Sequence, residues 1–198
     1  LVGFHESRHS SAAYVERGAL VHLHRKLYLV DYPPFGEDAL FEPGDELRAF
    51  DTRLGRFAIL LCNDAWQPFL PFLAVSDGAE VLLVPACSSD VVPDAEEVWR
   101  ALTRLTARLH QCYVVFVNRV GVEPGFRFWG GSHVVAPTGE VIAEAPRFEE
   151  ALLVAELDLE EVARRRRELP LLGSPRLDFL LKEVARLAPA GARMNFHR

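Results

Sequence analysis

The sequence predicts an α/β fold, in which helices connect the strands of a central sheet. Three apolar segments, at 56–61, 79–85 and 112–117, alternate with helical segments at 68–76 and 93–110. Uninterrupted apolar runs are typical of strands that are buried on both faces of a sheet. Crossovers through helices are right-handed, so the sheet should be parallel or mixed. The 198 residues are enough for one domain with a substantial core.

Composition points away from several classes of function. The net charge of −6 leaves no basic excess for nucleic acid. No apolar run is long enough to span a bilayer. The three cysteines form no CxxC pair and no regular metal spacing, which favours a reducing, cytoplasmic setting over a disulfide framework. We therefore expect no metal, no nucleic acid and no membrane as partner.

The first quarter of the chain predicts strands around a long loop. Residues 1–4 form an apolar strand, 5–11 a polar loop, and 12–15 with 19–24 a hairpin. Lys26 ends the second hairpin strand. A proline-rich loop from about residue 31 to 46 follows and carries Glu37; long ordered loops tend to be functional.

A strand at 47–52 and a turn at 54–55 lead into the 56–61 strand, which ends on Cys62 at a sharp strand-to-helix turn. Backbone N–H groups and the helix dipole at such a turn favour a thiolate. The alternative is a core cysteine, because free cysteines are often buried. Asp64 fits a cap of the following helix better than a chemical role.

The helix at 93–110 is amphipathic, with one apolar face and one arginine-bearing face. The apolar face consists of Val98, Leu102, Leu105 and Leu109. Cys87 and Cys112 flank strands and fit the core, although Cys87 could instead line a pocket near Cys62.

An antiparallel meander should complete the sheet, with strands at 128–136, 140–145 and 151–157. A charged helix at 159–169 contains four successive arginines, which favours a solvated or intersubunit face over a nucleic-acid patch. The segment at 179–187 is amphipathic, and we expect the tail after it to be frayed or docked on a partner.

Three residues suggest a chemical site. A thiolate nucleophile at Cys62 needs nearby positive charge and a donor for the oxyanion, and Lys26 could supply both. A carboxylate such as Glu37 is needed to move protons. The alternatives are a surface lysine and a solvated loop carboxylate.

The sequence resembles the nitrilase superfamily of carbon–nitrogen hydrolases along nearly its whole length. The matching segments, in order, are His24–Leu29, Glu37 with Phe41–Gly44, Leu60–Asp64, Asn118–Glu123, Phe128–Ser132, Ala136–Glu140, Glu156–Leu159 and Arg167–Pro170. The resemblance implies a four-layer α-β-β-α sandwich built into homodimers or larger homo-oligomers, without a cofactor. It implies a single such domain over 1–198, about its C-terminal two thirds, with a C-terminal extension over roughly 171–198 that could lie at an oligomer interface.

The resemblance also implies a Glu-Lys-Cys triad. Cys62 matches the nucleophile, Lys26 the lysine, and Glu37 the auxiliary glutamate that positions substrate and lysine. The Asn63 backbone N–H and the Lys26 ammonium would hold the oxyanion. The implied reaction is hydrolysis of a small amide or N-carbamoyl compound through a thioester at Cys62.

The chain departs from the family in two places. The general-base glutamate of the family precedes the segment that residues 1–4 match, and the first strands and helices of the fold are missing with it. We expect either that the protein extends upstream of Leu1, or that the chain lacks its base and is an inactive fragment or non-catalytic scaffold of the same fold. We favour a piece of a longer chain over a complete enzyme of 198 residues. After the nucleophile, Asn63 and Trp66 replace the usual residues, so Trp66 could shape the acyl pocket. Trp129 could approach the site or only pack, and its segment is similar to carbamoyl-amine amidohydrolases; nitrile hydrolysis fits less well.

Overall fold

The computed structural model describes residues 1–173 and 175–187 and confirms the α/β class. The strands are β1 (Val2–Glu6), β2 (His9–Glu16), β3 (Ala19–Arg25), β4 (Phe50–Thr52), β5 (Gly55–Ile59), β6 (Val81–Ala86), β7 (Tyr113–Asn118), β8 (Val120–Glu123), β9 (Phe126–Trp129), β10 (His133–Val135) and β11 (Val141–Glu144). The helices are α1 (Phe69–Ser76), α2 (Ala95–His110), α3 (Leu159–Glu168) and α4 (Leu177–Leu187). Two 3-10 turns cover Glu37–Ala39 and Cys62–Trp66.

The central sheet is mixed, as expected. Its strand order is β11-β10-β7-β6-β5-β4. The three strands from the apolar runs, β5, β6 and β7, are parallel, and the outer pairs are antiparallel. Helices α1 and α2 connect these strands. Because the three strands are parallel, their carboxyl ends all lie at the same edge of the sheet. Loops at such an edge are where α/β sheets bind ligands.

The two faces of this sheet have different neighbours. On one face, residues such as Leu60 and Leu82 pack with buried side chains of α1 and α2. On the other face, Ile59 and Val81 share a core with Ala12 of β2 and Val162 of α3. Strands β1, β2 and β3 form a separate antiparallel sheet there. A helical layer and two sheets, three of the four layers that the resemblance implies, are therefore visible in the described residues.

The face of helix α2 that packs on the core is not the apolar face that the sequence predicts. Trp99 and Ala107 are buried, whereas Leu105 and Leu109 are 57% and 49% exposed. Of the predicted stripe, Leu102 packs partly against the core. The periodicity of the sequence predicts an amphipathic helix. It does not show which of two adjacent helix faces is buried when one of them carries a tryptophan.

Two predicted elements, the loop at 5–11 and the strand at 128–136, are wrong in detail. The expected polar loop at 5–11 is mostly strand, because β1 and β2 pair directly from Glu6 and His9 outward. The predicted strand at 128–136 is divided into β9 and β10 by two glycines. Gly130 has a φ of 69°, and a Cβ there would lie 2.5 Å from Val120 Cγ1, so the chain can turn only without a side chain.

The predicted strand at 151–157 is not formed as a strand. Its alternation is nevertheless real: Leu153 and Leu157 pack on the second core, while Leu152 is 92% exposed. A strand needs a partner for its backbone groups, and none of the strands in the described residues pairs with this segment. The alternating pattern therefore indicates which side chains are buried. It does not indicate that the segment is hydrogen-bonded to a neighbouring strand.

The arginine run on α3 is only partly a solvated face. Arg166 donates from Nη2 to the carbonyl oxygen of Ala79 at 2.7 Å, which ties the helix to the chain just before β6. The last helix, α4, buries none of its residues. The tail from residue 188 lies outside the described residues, as does Ser174. Among the described helices, none has the length and apolar character that crossing a membrane would require.

Candidate active site

A cavity of about 700 Å³ opens at the carboxyl ends of β5, β6 and β7. It brings together five of the six predicted site residues and one further cysteine. These are Lys26, Glu37, Cys62, Asn63, Trp66 and Cys87. Its size is in the range of pockets that hold small molecules.

Cys62 begins a 3-10 turn directly after the β5 strand and the extended Leu61. Its φ of 48° lies in the left-handed region, which is uncommon for a residue with a side chain. Such strain persists only where the surroundings fix it, and it is concentrated at functional sites. The residue is half-buried, and its side chain faces the cavity. The predicted sharp turn is therefore present, as a 3-10 turn rather than the start of an α-helix.

Lys26 and Glu37 form a close ion pair at the cavity. Lys26 Nζ donates to Glu37 Oε1 at 2.7 Å and to Oε2 at 2.5 Å. The lysine side chain is only 4% exposed, whereas that of Glu37 is 28% exposed. A buried ammonium group is costly without a partner, so the carboxylate is what allows Lys26 to sit here.

Backbone contacts hold both partners of this ion pair. Glu37 Oε2 also accepts from the Val30 N–H at 2.8 Å, which closes the loop that carries it. Lys26 donates its N–H to Ser10 and accepts from the Gly44 N–H, each at 2.8 Å. A Cβ on Gly44 would lie 2.6 Å from the Arg25 carbonyl oxygen, so this close approach requires glycine.

The charge state of Cys62 depends on opposing effects. Burial raises the pKa of the Cys62 thiol, while the Lys26 ammonium and the Cys87 backbone N–H lower it. Burial is the largest effect, so the pKa stays above its ordinary value. A thiol in this position needs a base to remove its proton, and Lys26 makes that removal easier.

Of the three predicted substrate contacts, two line the cavity and one lies in the core. Asn63 and Trp66 line the cavity, and Asn63 Nδ2 donates to the carbonyl oxygens of Tyr28 and Leu29 at 3.2 Å. Trp129 lies in the core instead. It is 3% exposed, stacks on Phe116, and donates from Nε1 to Ser88 Oγ at 3.2 Å. Trp129 does not line the cavity, so the predicted packing role fits and the predicted substrate contact does not.

The cavity also contains a second thiol, Cys87, which the sequence indicated as an alternative pocket residue, and a charged pair, Arg119 and Glu123, which it did not single out. Cys87 is exposed and not in the core, because it follows β6 at the open edge of the sheet. Arg119 follows β7, donates to Glu123 Oε1 at 2.5 Å and stacks over Phe128 at 4.5 Å. The edge position of Cys87 was a signal in the sequence, since its strand adjoins the strand before Cys62.

Comparisons with known proteins agree with this arrangement. The profile of the family described as carbon-nitrogen hydrolase matches residues 9–167. N-carbamoylputrescine amidase of Arabidopsis thaliana is 30% identical over 174 residues, covering 81% of this chain and 58% of that protein. The chain therefore spans well under two thirds of the length of that relative.

Two solved structures share the fold. A carbon-nitrogen hydrolase from Helicobacter pylori G27 is 30% identical with a TM-score of 0.81, covering 89% of this chain and 66% of that one. An amidase from Nesterenkonia sp. AN1 is 25% identical with a TM-score of 0.71, covering 87% and 60%. That structure is of a glutamate-to-glutamine mutant of the amidase, in which the acetamide moiety of fluoroacetamide is covalently added at the active-site cysteine. This chain belongs to the carbon-nitrogen hydrolase family, the nitrilase superfamily, and has its fold.

Proposed function

We propose that the protein hydrolyses a non-peptide carbon–nitrogen bond through a thioester at Cys62. The observation that carries this proposal is that one cavity holds a strained, half-buried cysteine and a buried Lys26 that is paired with Glu37. The cysteine adduct in the related amidase supports the role of the thiol. Covalent catalysis of this kind replaces one difficult step by two easier ones.

In the proposed mechanism, the Cys62 sulfur attacks the carbonyl carbon and the carbonyl electron pair moves to oxygen. The Lys26 ammonium and the Asn63 backbone N–H stabilise that oxyanion. Collapse breaks the carbon–nitrogen bond, and the nitrogen leaves as ammonia or an amine after taking up the thiol proton, which a carboxylate base removes from Cys62 during the attack and then passes on. Water then attacks the thioester, which releases the acid and restores the thiol.

Proton transfer in this mechanism needs a carboxylate besides the one that holds Lys26. Glu37 is held by Lys26 and by the Val30 N–H, which suits a positioning role. The resemblance puts the general base before the segment that residues 1–4 match. If no such carboxylate reaches Cys62 in the protein, the alternative is a non-catalytic scaffold or inactive fragment of the same fold.

We propose a small amide or N-carbamoyl compound as the substrate. Aromatic side chains, including Trp66, Phe126 and Phe128, make much of the wall, and the charged residues are few and mostly paired. The amidase and carbamoyl amidase among the relatives support the same class. Hydrolysis of an N-carbamoyl amine would yield the amine, carbon dioxide and ammonia.

The test is ammonia release from a panel of small amides, ω-amides, N-carbamoyl amines and nitriles. We expect turnover of at least one amide or carbamoyl compound, and an acyl adduct on the Cys62 peptide when the reaction is quenched in acid. Binding of amides without ammonia release or adduct would favour the scaffold alternative.

We also propose that the protein assembles into a homodimer or a larger homo-oligomer in the cytoplasm. The exposed apolar residues Leu105 and Leu109 on α2 support an assembly, because contiguous apolar surface often marks an interface. The free thiols of all three cysteines suit a reducing compartment. Light scattering should give at least twice the mass of the monomer, and a monomer at micromolar concentration would contradict the proposal.

A further inference from the structure

Asp64 is a fully buried carboxylate two residues after the nucleophile. Four donors surround it. Oδ1 accepts from the backbone N–H groups of Leu27 at 3.0 Å and Tyr28 at 2.8 Å. Oδ2 accepts from the Leu61 N–H at 3.0 Å and lies 3.0 Å from His24 Nε2. A helix cap needs only one or two of these bonds, so capping does not account for the arrangement.

The four donors come from the two segments whose relative position matters for the proposed chemistry. Leu61 is the residue before the nucleophile. His24, Leu27 and Tyr28 flank Lys26 on both sides, at a sequence separation of 36 to 40 residues from Asp64. The carboxylate therefore joins the end of the lysine strand to the turn that holds Cys62, without itself lining the cavity.

We propose that Asp64 is a positioning residue that fixes Lys26 relative to Cys62. His24 supports this role, because its Nε2 lies within hydrogen-bond distance of the Oδ2 oxygen of Asp64. This inference rests on the proposed roles of Cys62 and Lys26, and it adds a device that keeps the ammonium group close to the sulfur. A buried carboxylate with charge-assisted bonds suits this purpose, because each such bond is stronger than a neutral one and has a defined direction.

Asparagine cannot replace this carboxylate. Its amide has one acceptor oxygen and one NH₂ donor, whereas Asp64 is surrounded by donors on both oxygens. Whichever way the amide is turned, its NH₂ group faces either the Leu27 and Tyr28 N–H groups or the Leu61 N–H and His24. Asp64→Asn should therefore loosen the two segments while changing the side-chain volume very little.

The test measures the rate at which iodoacetamide alkylates Cys62, by peptide mass, as a function of pH. This readout needs no substrate turnover. We expect Lys26→Met to lower the rate near pH 8 about 10-fold, the change in thiolate fraction for one pKa unit. Asp64→Asn should lower it by a similar factor. In the Lys26→Met background, Asp64→Asn should change it less than about 2-fold, because a positioning residue acts through the lysine.

A matched control is Asp77→Asn. Asp77 also accepts a backbone N–H, from Ala49 at 2.7 Å, but at the far end of α1. It should leave the alkylation rate of Cys62 unchanged. Equal losses from Asp64→Asn with and without Lys26 would overturn the positioning role and leave the proposed function intact. No effect of Lys26→Met would instead contradict the Lys26–Cys62 pair itself.

A second pair of variants applies if Asp64→Asn does not fold. His24→Leu removes one donor to Oδ2 and leaves the three backbone donors, so we expect a loss of about 3-fold in the alkylation rate. His24→Gln keeps an N–H donor and should recover most of that loss. Identical rates for both His24 variants and the unchanged protein would overturn the role given to this contact.

Discussion

Cys62→Ala should reduce ammonia release at least about 10³-fold, because it removes the atom that forms the thioester. The acyl adduct should disappear with it. The matched control is Cys112→Ala, the same substitution at a fully buried thiol whose pKa burial raises to about 12. We expect Cys112→Ala to lower the melting temperature and to keep turnover of the folded protein.

Comparing the two variants separates chemistry from folding. A loss of activity in both, in proportion to the loss of folded protein, would mean that turnover reports stability only. Residual turnover above a few per cent in folded Cys62→Ala would contradict the nucleophile assignment. Cys87, the other thiol at the cavity, would then be the next candidate, because it is exposed there. Partial burial raises the pKa of its thiol, and the Arg119 charge opposes that rise.

The sequence was most informative where one local pattern decides the structure. Apolar runs without alternation predicted β5, β6 and β7 as parallel strands, and the cysteine at the end of one run predicted the position of the strained turn. The pairing of Lys26 with Glu37 came from the resemblance only. The two residues are held together through a loop closed by Val30, and no spacing rule encodes such a closure.

Features that depend on distant partners were not accessible from the sequence. The sequence predicts Asp64 to be a helix cap, because only a bond to a neighbouring residue such as Leu61 can be expected from local spacing. Its bonds to Leu27 and Tyr28 join distant parts of the chain and cannot be expected in that way. The segment at 151–157 alternates correctly but has no strand beside it in the described residues. In each case the physical reason is the same: a hydrogen bond needs a second group, and the sequence does not say which one is near.

Lys26→Met should lower kcat by about 10²–10⁴-fold, within the range for loss of an oxyanion donor or of acid–base assistance. Methionine keeps the length of the stem and removes the charge. Because the ammonium lowers the pKa of Cys62 against the effect of burial, its loss should raise that pKa further. The rise of kcat/KM with pH should therefore move to higher pH in the variant.

Glu37→Gln is the matched comparison for this variant. It removes the negative charge but keeps an amide oxygen that can accept from Lys26 Nζ, so the buried ammonium retains a neutral partner in place of a charged one. We expect a smaller loss in kcat than for Lys26→Met, and a pH profile that stays near that of the unchanged protein. If Glu37→Gln were the more damaging change and shifted the profile, Glu37 would be the proton-transfer group itself, and no separate base would be needed. The relative size of the two losses therefore decides whether Glu37 positions Lys26 or moves the proton.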